Sequence, residues 1–322
     1  MGSFLRRCAL SGLVVWMLGW PGPLRQPSPG RDRAEMGVPS PTQVPGPVPE
    51  DERPWLARPV SYEDISTASP DRSYPYGSTG QGKYAVHHGV EFARPPGTPA
   101  LTVADGTVVV AGSDDQEAWG PRPDYYGLLI VLQVDQLYSG LPVYVLYGHL
   151  SAVGVRLGQR VQRGQEIGLV GSSGTALGPH LHLEVRVGRN AFSHTRNPEL
   201  WFEPLQGDGT IVGRVEVDGR LVPGALVTVQ PVERPKRFWR DTWTYADVSL
   251  EQIQSDDVWG ENWALGDVPA GVYFVQTRVR GRLYTRQVQV EESRVAFVSI
   301  TARTTVLNPS RLRMTQLSDG SE

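Results

Sequence analysis

The chain is 322 residues long with 39% hydrophobic and 20% charged residues, enough apolar material for one or two buried cores. Its formal net charge of -3 gives no support for a nucleic-acid partner, which normally needs a basic stripe. Cys8 is the only cysteine, so the rest of the chain has no disulfide, thiolate metal site or cysteine nucleophile, and any metal must be held by histidine and carboxylate.

Residues 1–20 read as a signal peptide or short membrane anchor. Arg6 and Arg7 precede an uncharged, mostly apolar run over 8–20, which is short of the about 20 residues a membrane span needs. No small-x-small cleavage site follows, so a membrane tether stays open, and the expected location is exported: extracellular or in the cell envelope. Cys8 opens the apolar run, whereas a lipoprotein cysteine would close it, so no lipid anchor is expected. Residues 21–60 are rich in Pro, Gly, Ser and charge without apolar periodicity and form a disordered linker. At ~3.1 Å per residue, its roughly 40 residues span up to ~120 Å.

Residues 61–205 show short apolar runs separated by Gly and Pro, with no long stretch of helical period, which predicts strands at 107–111, 128–134, 143–149, 166–170 and 181–187. Glycines spaced around Val161 and Ile167, from Gly158 to Gly168, predict tight hairpin turns. A second β segment at 208–302 has predicted strands at 210–217, 225–229, 272–279, 283–290 and 295–300, which suit a small sandwich. The chain therefore reads as all-β with two domains, followed by a tail at 303–322 without pattern.

Five of the six histidines fall in three short segments: His87-His88-Gly89-Val90-Glu91, Tyr147-Gly148-His149-Leu150 and His180-Leu181-His182. In a strand, residues two or four apart share a face. That pairs Glu91 with His87 rather than His88. It also places His180, His182 and Glu184 opposite the apolar Leu181, Leu183, Val185 and Val187. Any one of these histidines reads most simply as an ordinary polar residue, but five together do not. Two imidazoles and a carboxylate are a typical catalytic zinc set with a fourth position left for water, so Zn2+ is the expected cofactor.

These residues resemble the lysostaphin/LytM-type zinc endopeptidases of peptidoglycan, whose motifs H-x-G-x-D, Y-x-H-L and G-P-H-L-H-x-E match 87–91, 147–150 and 178–184, within about 74–202. The glycine-rich 171–179 is similar to the family's approach to the last motif. The resemblance implies an antiparallel β metallopeptidase domain, with His87, Glu91 and His182 as metal ligands, His149 and His180 as the catalytic pair, and peptidoglycan peptide as substrate. Which of the pair is the base is left open. The implied reaction needs no covalent intermediate, and the chain has no H-E-x-x-H helix to supply a glutamate base. Glu91 departs from the family's Asp and reaches about 1.5 Å further. The alternative reading is a degenerate member that binds the wall or activates another hydrolase. Retention of all four histidines favours the enzyme.

Other features are weighed against plainer readings. Tyr74 and Tyr76 suit either the wall of a substrate groove or a turn with packed aromatics. Asp114, Asp115 and Glu117 read as a solvated loop, with a role in shaping substrate choice as the lesser reading, and His194 reads as a surface residue. The segment 267–273, with 213–217 and 224–227, resembles the transthyretin-like modules called carboxypeptidase regulatory-like domains, a small Ig/transthyretin-like β-sandwich. Its aromatics Phe238, Trp239, Trp243, Tyr245, Trp259 and Trp263 read as core packing, with glycan or protein contact as the lesser reading.

Overall fold

Runs of β-branched and aromatic residues broken by glycine turns fold as strands throughout, and the two histidine-bearing strands lie side by side. The computed structural model describes residues 56–62, 67–234, 239–249 and 251–304. The signal-like segment, most of the linker, Phe238 and the end of the tail lie outside the described residues. Among those described, no helix is long and apolar enough to cross a membrane.

The first nine strands are β1 (Val90–Ala93), β2 (Pro99–Leu101), β3 (Gly106–Ser113), β4 (Leu128–Val134), β5 (Val143–Val153), β6 (Arg160–Val161), β7 (Glu166–Val170), β8 (His180–Val187) and β9 (Thr195–Arg196). They form one antiparallel sheet with the main order β1-β8-β5-β4-β3-β6, in which β7 joins β2 to β5 and β9 caps β8. Leu181, Leu183, Val185 and Val187 enter the core from β8, with Val143, Val145 and Tyr147 from β5. The opposite face of β8 carries His180, His182 and Glu184.

Eight strands follow: β10 (Asp208–Val217), β11 (Arg220–Leu221), β12 (Leu226–Pro231), β13 (Arg240–Trp243), β14 (Trp263–Pro269), β15 (Gly271–Val279), β16 (Arg282–Val290) and β17 (Val295–Ala302). They make two four-stranded sheets, one of β10, β11, β14 and β17 and the other in the order β13-β12-β15-β16. Ile211, Leu265 and Ile300 of the first sheet meet Val229, Val275 and Val288 of the second in a shared core. Val212, Trp259 and Ala264 leave that core and pack into the core of the first nine strands. The Arg58–Asp267 pair (2.6 Å) crosses the same junction, as does Arg72, which pairs with Glu199 (2.6 Å) on its own side and donates to Gly266 O (2.8 Å) on the other.

The differences from the sequence reading are local. Gly158 and Gly164 do turn the chain, with φ of +79° and +80°, but no hairpin forms. Instead β6 pairs with β3, and β7 pairs with β2 and β5. The first strand begins only at Val90, so His87 sits in the loop before it. Strand β14 was not anticipated, because Gly266 and the left-handed Asp267 (φ +51°) interrupt its alternation. Tyr245, Trp259 and Trp263 are packed inside.

Candidate active site

His87 is held from behind at three points. Its backbone N–H donates to Ser78 O (2.9 Å) and its carbonyl accepts from Gly77 N–H (2.8 Å). Its Nδ1–H donates to Tyr74 O at 2.6 Å, and the Tyr74 ring stacks on the imidazole with centroids 4.1 Å apart. This fixes the tautomer and turns the Nε2 lone pair forward. Neighbouring His88 points away, stacked on Phe192 at 3.5 Å, and burial lowers its pKa to about 4.

His182 is oriented the other way round. Its Nε2 lies 3.2 Å from Glu184 Oε1, which leaves Nδ1 facing His87. Glu184 is fully buried and also accepts from the Tyr126 hydroxyl and from Arg186 Nε (2.7 Å). Burial alone would raise the Glu184 pKa, but Arg186 and His182 outweigh it and hold the group at about 2. Gly89 leaves room for the His182 ring, since a Cβ there would lie 2.8 Å from Cε1 and 2.4 Å from Leu183 O.

Glu91 on β1 sits directly across from His182 on β8. Its Oε1 lies 2.9 Å from His87 Nε2 and 3.1 Å from His182 Nδ1, and those two nitrogens are 3.4 Å apart. Three ligand-type atoms thus face one another, each backed by its own chain, an arrangement able to hold a metal ion. The second oxygen, Oε2, approaches His180 Nε2 to 2.6 Å. The extra methylene of Glu over Asp lets one carboxylate serve both contacts. Burial opposes ionisation of Glu91, but His182, His180 and His87 hold its pKa well below the usual carboxylate range.

His149 reaches this face through a β-bulge. Leu128 pairs with Leu150 and Ile130 with Tyr147, so Gly148 and His149 together oppose Leu129. Simple alternation would send His149 to the same side as Tyr147, into the core. Instead the backbone at His149 is left-handed (φ +61°), strain of about 1–3 kcal/mol that surrounding contacts must hold. Its N–H donates to Tyr126 O (2.9 Å) and its Nδ1–H to Ser173 O (2.8 Å). The ring lies 4.9 Å from that of His180 and 5.6 Å from that of His182. Burial, then His182 and His180, lower its pKa to about 4, so it is neutral at pH 7. His180 Nδ1–H donates to Gly178 O at 2.8 Å.

Sequence reasoning missed Asp114. Far from being solvated, it is fully buried and accepts from the N–H groups of Tyr125, Tyr126 and Gly127 at 2.8–3.1 Å. It thereby sets the turn whose Tyr126 carbonyl anchors His149. No local motif signalled this, because the three amides lie 11–13 residues along the chain from the carboxylate. The five predicted site residues line a groove of about 530 Å³ with Tyr74, Tyr84, Tyr125 and Leu177 on its walls. Tyr74 is at once a groove wall and a packed aromatic, whereas Tyr76 is buried. His194 lies outside the groove.

Fold and site together define an antiparallel β domain of the metallopeptidase kind, with a histidine–carboxylate cluster at the floor of an apolar groove. Comparison narrows this: residues 85–194 match Peptidase family M23, so this segment is a domain of that family. Peptidoglycan DD-endopeptidase ShyA of Vibrio cholerae is 40% identical over 105 residues, which is 33% of this chain and 21% of that protein. The catalytic domain of lysostaphin from Staphylococcus simulans is 31% identical, covering 40% of this chain and 89% of that one, with a TM-score of 0.34. A zinc-containing peptidase from Vibrio cholerae is 30% identical over 44% of this chain and 38% of that one, with a TM-score of 0.33. The chain spans 21–28% of the length of the first curated relatives it matches.

Proposed function

We propose that this protein is an exported zinc endopeptidase that hydrolyses peptide cross-links of bacterial peptidoglycan. The observation that carries this reading is the triangle of Glu91 Oε1, His87 Nε2 and His182 Nδ1, with edges of 2.9, 3.1 and 3.4 Å. A tetrahedral zinc with bonds of about 2.05 Å needs ligand atoms about 3.3 Å apart, so the donor set fits with small adjustments. His87, Glu91 and His182 would hold the ion, which when bound supplies a Lewis acid that polarises the scissile carbonyl and acidifies a water.

The remaining chemistry belongs to the chain. His149 is neutral, with its proton committed at Nδ1 to Ser173 O, and offers the Nε2 lone pair as acceptor for the proton of the attacking water. His180 donates from Nδ1 to Gly178 O, and its Nε2 lies 2.6 Å from Glu91 Oε2. We assign it the role of donor to the oxyanion that develops on the scissile carbonyl. The tyrosine walls and Leu177 seat an extended peptide and exclude water from its backbone. The match of residues 85–194 to family M23 supports the reaction class, and the residues assigned above would supply its ligands, its base and its oxyanion donor.

The test is digestion of purified peptidoglycan by the full chain loaded with zinc, scored by new amino termini. His149→Ala should lose at least about a hundredfold in turnover while still binding zinc. Wild-type protein that binds zinc, is folded and releases no amino termini would instead support a wall-binding or activating role.

A further inference from the structure

We propose that the C-terminal sandwich is a positioning element of the metal site, acting through Tyr245 and Ile253 on the segment that presents His87. The inference rests on the assignment of His87 as a ligand. It starts from the weakest feature of the cluster: Glu91 and His182 lie on paired strands, but His87 lies on a loop, which needs support from elsewhere.

That support comes from the sandwich. Gly77 is bonded to His87 on one side, and its carbonyl accepts from Ala246 N–H (2.7 Å) on the other. Tyr245, Ile253 and Tyr76 are all buried and close into a small apolar cluster against Val86, the residue before His87. The Tyr245 ring meets that of Tyr76 edge-on at 5.2 Å. Gly77 has φ +75°, and a Cβ there would lie 2.4 Å from Tyr245 Cδ1 and 3.0 Å from Ile253 Cδ1, so the glycine lets the aromatic ring rest on the backbone. The Tyr245 hydroxyl donates to Glu261 Oε1 (2.9 Å) and accepts from Asn197 Nδ2 (3.2 Å), which locks the ring between the two halves of the chain.

Further docking contacts of the sandwich lie outside this cluster. Trp259 stacks on Phe297 and joins Val212 and Ala264 in the first core, and the Arg58–Asp267 pair is elsewhere on the junction. Loss of Tyr245 therefore loosens the His87 segment while docking is retained, and loss of Trp259 weakens docking without touching that segment.

The experiment measures zinc affinity of the full chain by competition with a chromophoric chelator, together with amide exchange at Gly77 and His87 in the metal-free protein. Tyr245→Ala should weaken zinc binding by about tenfold or more, the range for groups that orient a ligand, and speed exchange at both amides. Tyr245→Phe keeps the ring and should restore affinity to within about threefold of wild type. Trp259→Ala should lower the unfolding temperature yet keep affinity within about twofold. The proposal is overturned if Tyr245→Ala keeps wild-type affinity and exchange, if Tyr245→Phe is as impaired as Tyr245→Ala, or if Trp259→Ala loses as much affinity. Should wild-type protein bind no zinc, the ligand assignment fails, and the proposal as a metal-site device fails with it. Faster exchange confined to Tyr245→Ala would then show the mechanical coupling alone.

Discussion

Glu184→Gln tests how far the buried polar network sets the geometry of His182. Glu184 and Arg186 are both fully buried and in contact at 2.7 Å, and the amide removes the negative charge while keeping the shape. Arg186 then keeps only neutral partners, Asn190 Oδ1, Trp119 O and the Tyr126 hydroxyl. Leaving one member of such a pair uncompensated costs about 3–5 kcal/mol of stability. Its contact with His182 Nε2 is also weakened, and loss of an orienting carboxylate lowers metal affinity by roughly 10–100-fold. Urea unfolding followed by tryptophan fluorescence and zinc competition read the two effects separately. The double variant Glu184→Gln with Arg186→Met removes the stranded cation, so it should recover most of the stability and none of the affinity. A single variant within about 1 kcal/mol of wild type, or one with unchanged zinc affinity, would refute the argument.

Three further expectations follow from single contacts. Gly89→Ala should lower zinc affinity several-fold, because its methyl meets the His182 ring and a carbonyl; a structure of the variant with His182 unmoved would contradict this. Glu91→Asp retracts the carboxylate by about 1.5 Å, so it cannot keep both the triangle and His180; zinc affinity near wild type with a several-fold fall in turnover is expected, and unchanged turnover would show the His180 contact to be idle. Burial, reinforced by Asp256, raises the Glu261 pKa to about 8 from 4.5, so between those values the folded state holds a proton that the unfolded state has lost. Stability should then fall as pH rises from about 4.5 to 8, by up to about 1.4 kcal/mol per unit for this group, and Glu261→Gln should flatten that slope in unfolding curves taken at pH 5 and pH 8.

Much of the site was legible because β geometry converts sequence parity into faces. The alternation from His180 to Val187 separates imidazoles from core residues, and the four-residue spacing selects His87 over His88 even though His87 lies outside the strand. The bulge at Gly148 and His149 was not legible, since nothing in Tyr147-Gly-His149-Leu shows that one extra residue will reverse the parity. Asp114 was misread because acidic neighbours mask a single carboxylate whose partners are three backbone amides. The union of Trp259 and Val212 with the first core depends on tertiary docking, and periodicity within one segment does not report what lies across a junction.

The most direct test of the central claim is mass spectrometry of a purified cross-linked muropeptide dimer incubated with the zinc-loaded full chain. The account predicts conversion to two monomers with the gain of one water, abolished by chelator and restored by zinc. An intact dimer under conditions where zinc is bound stoichiometrically would contradict it.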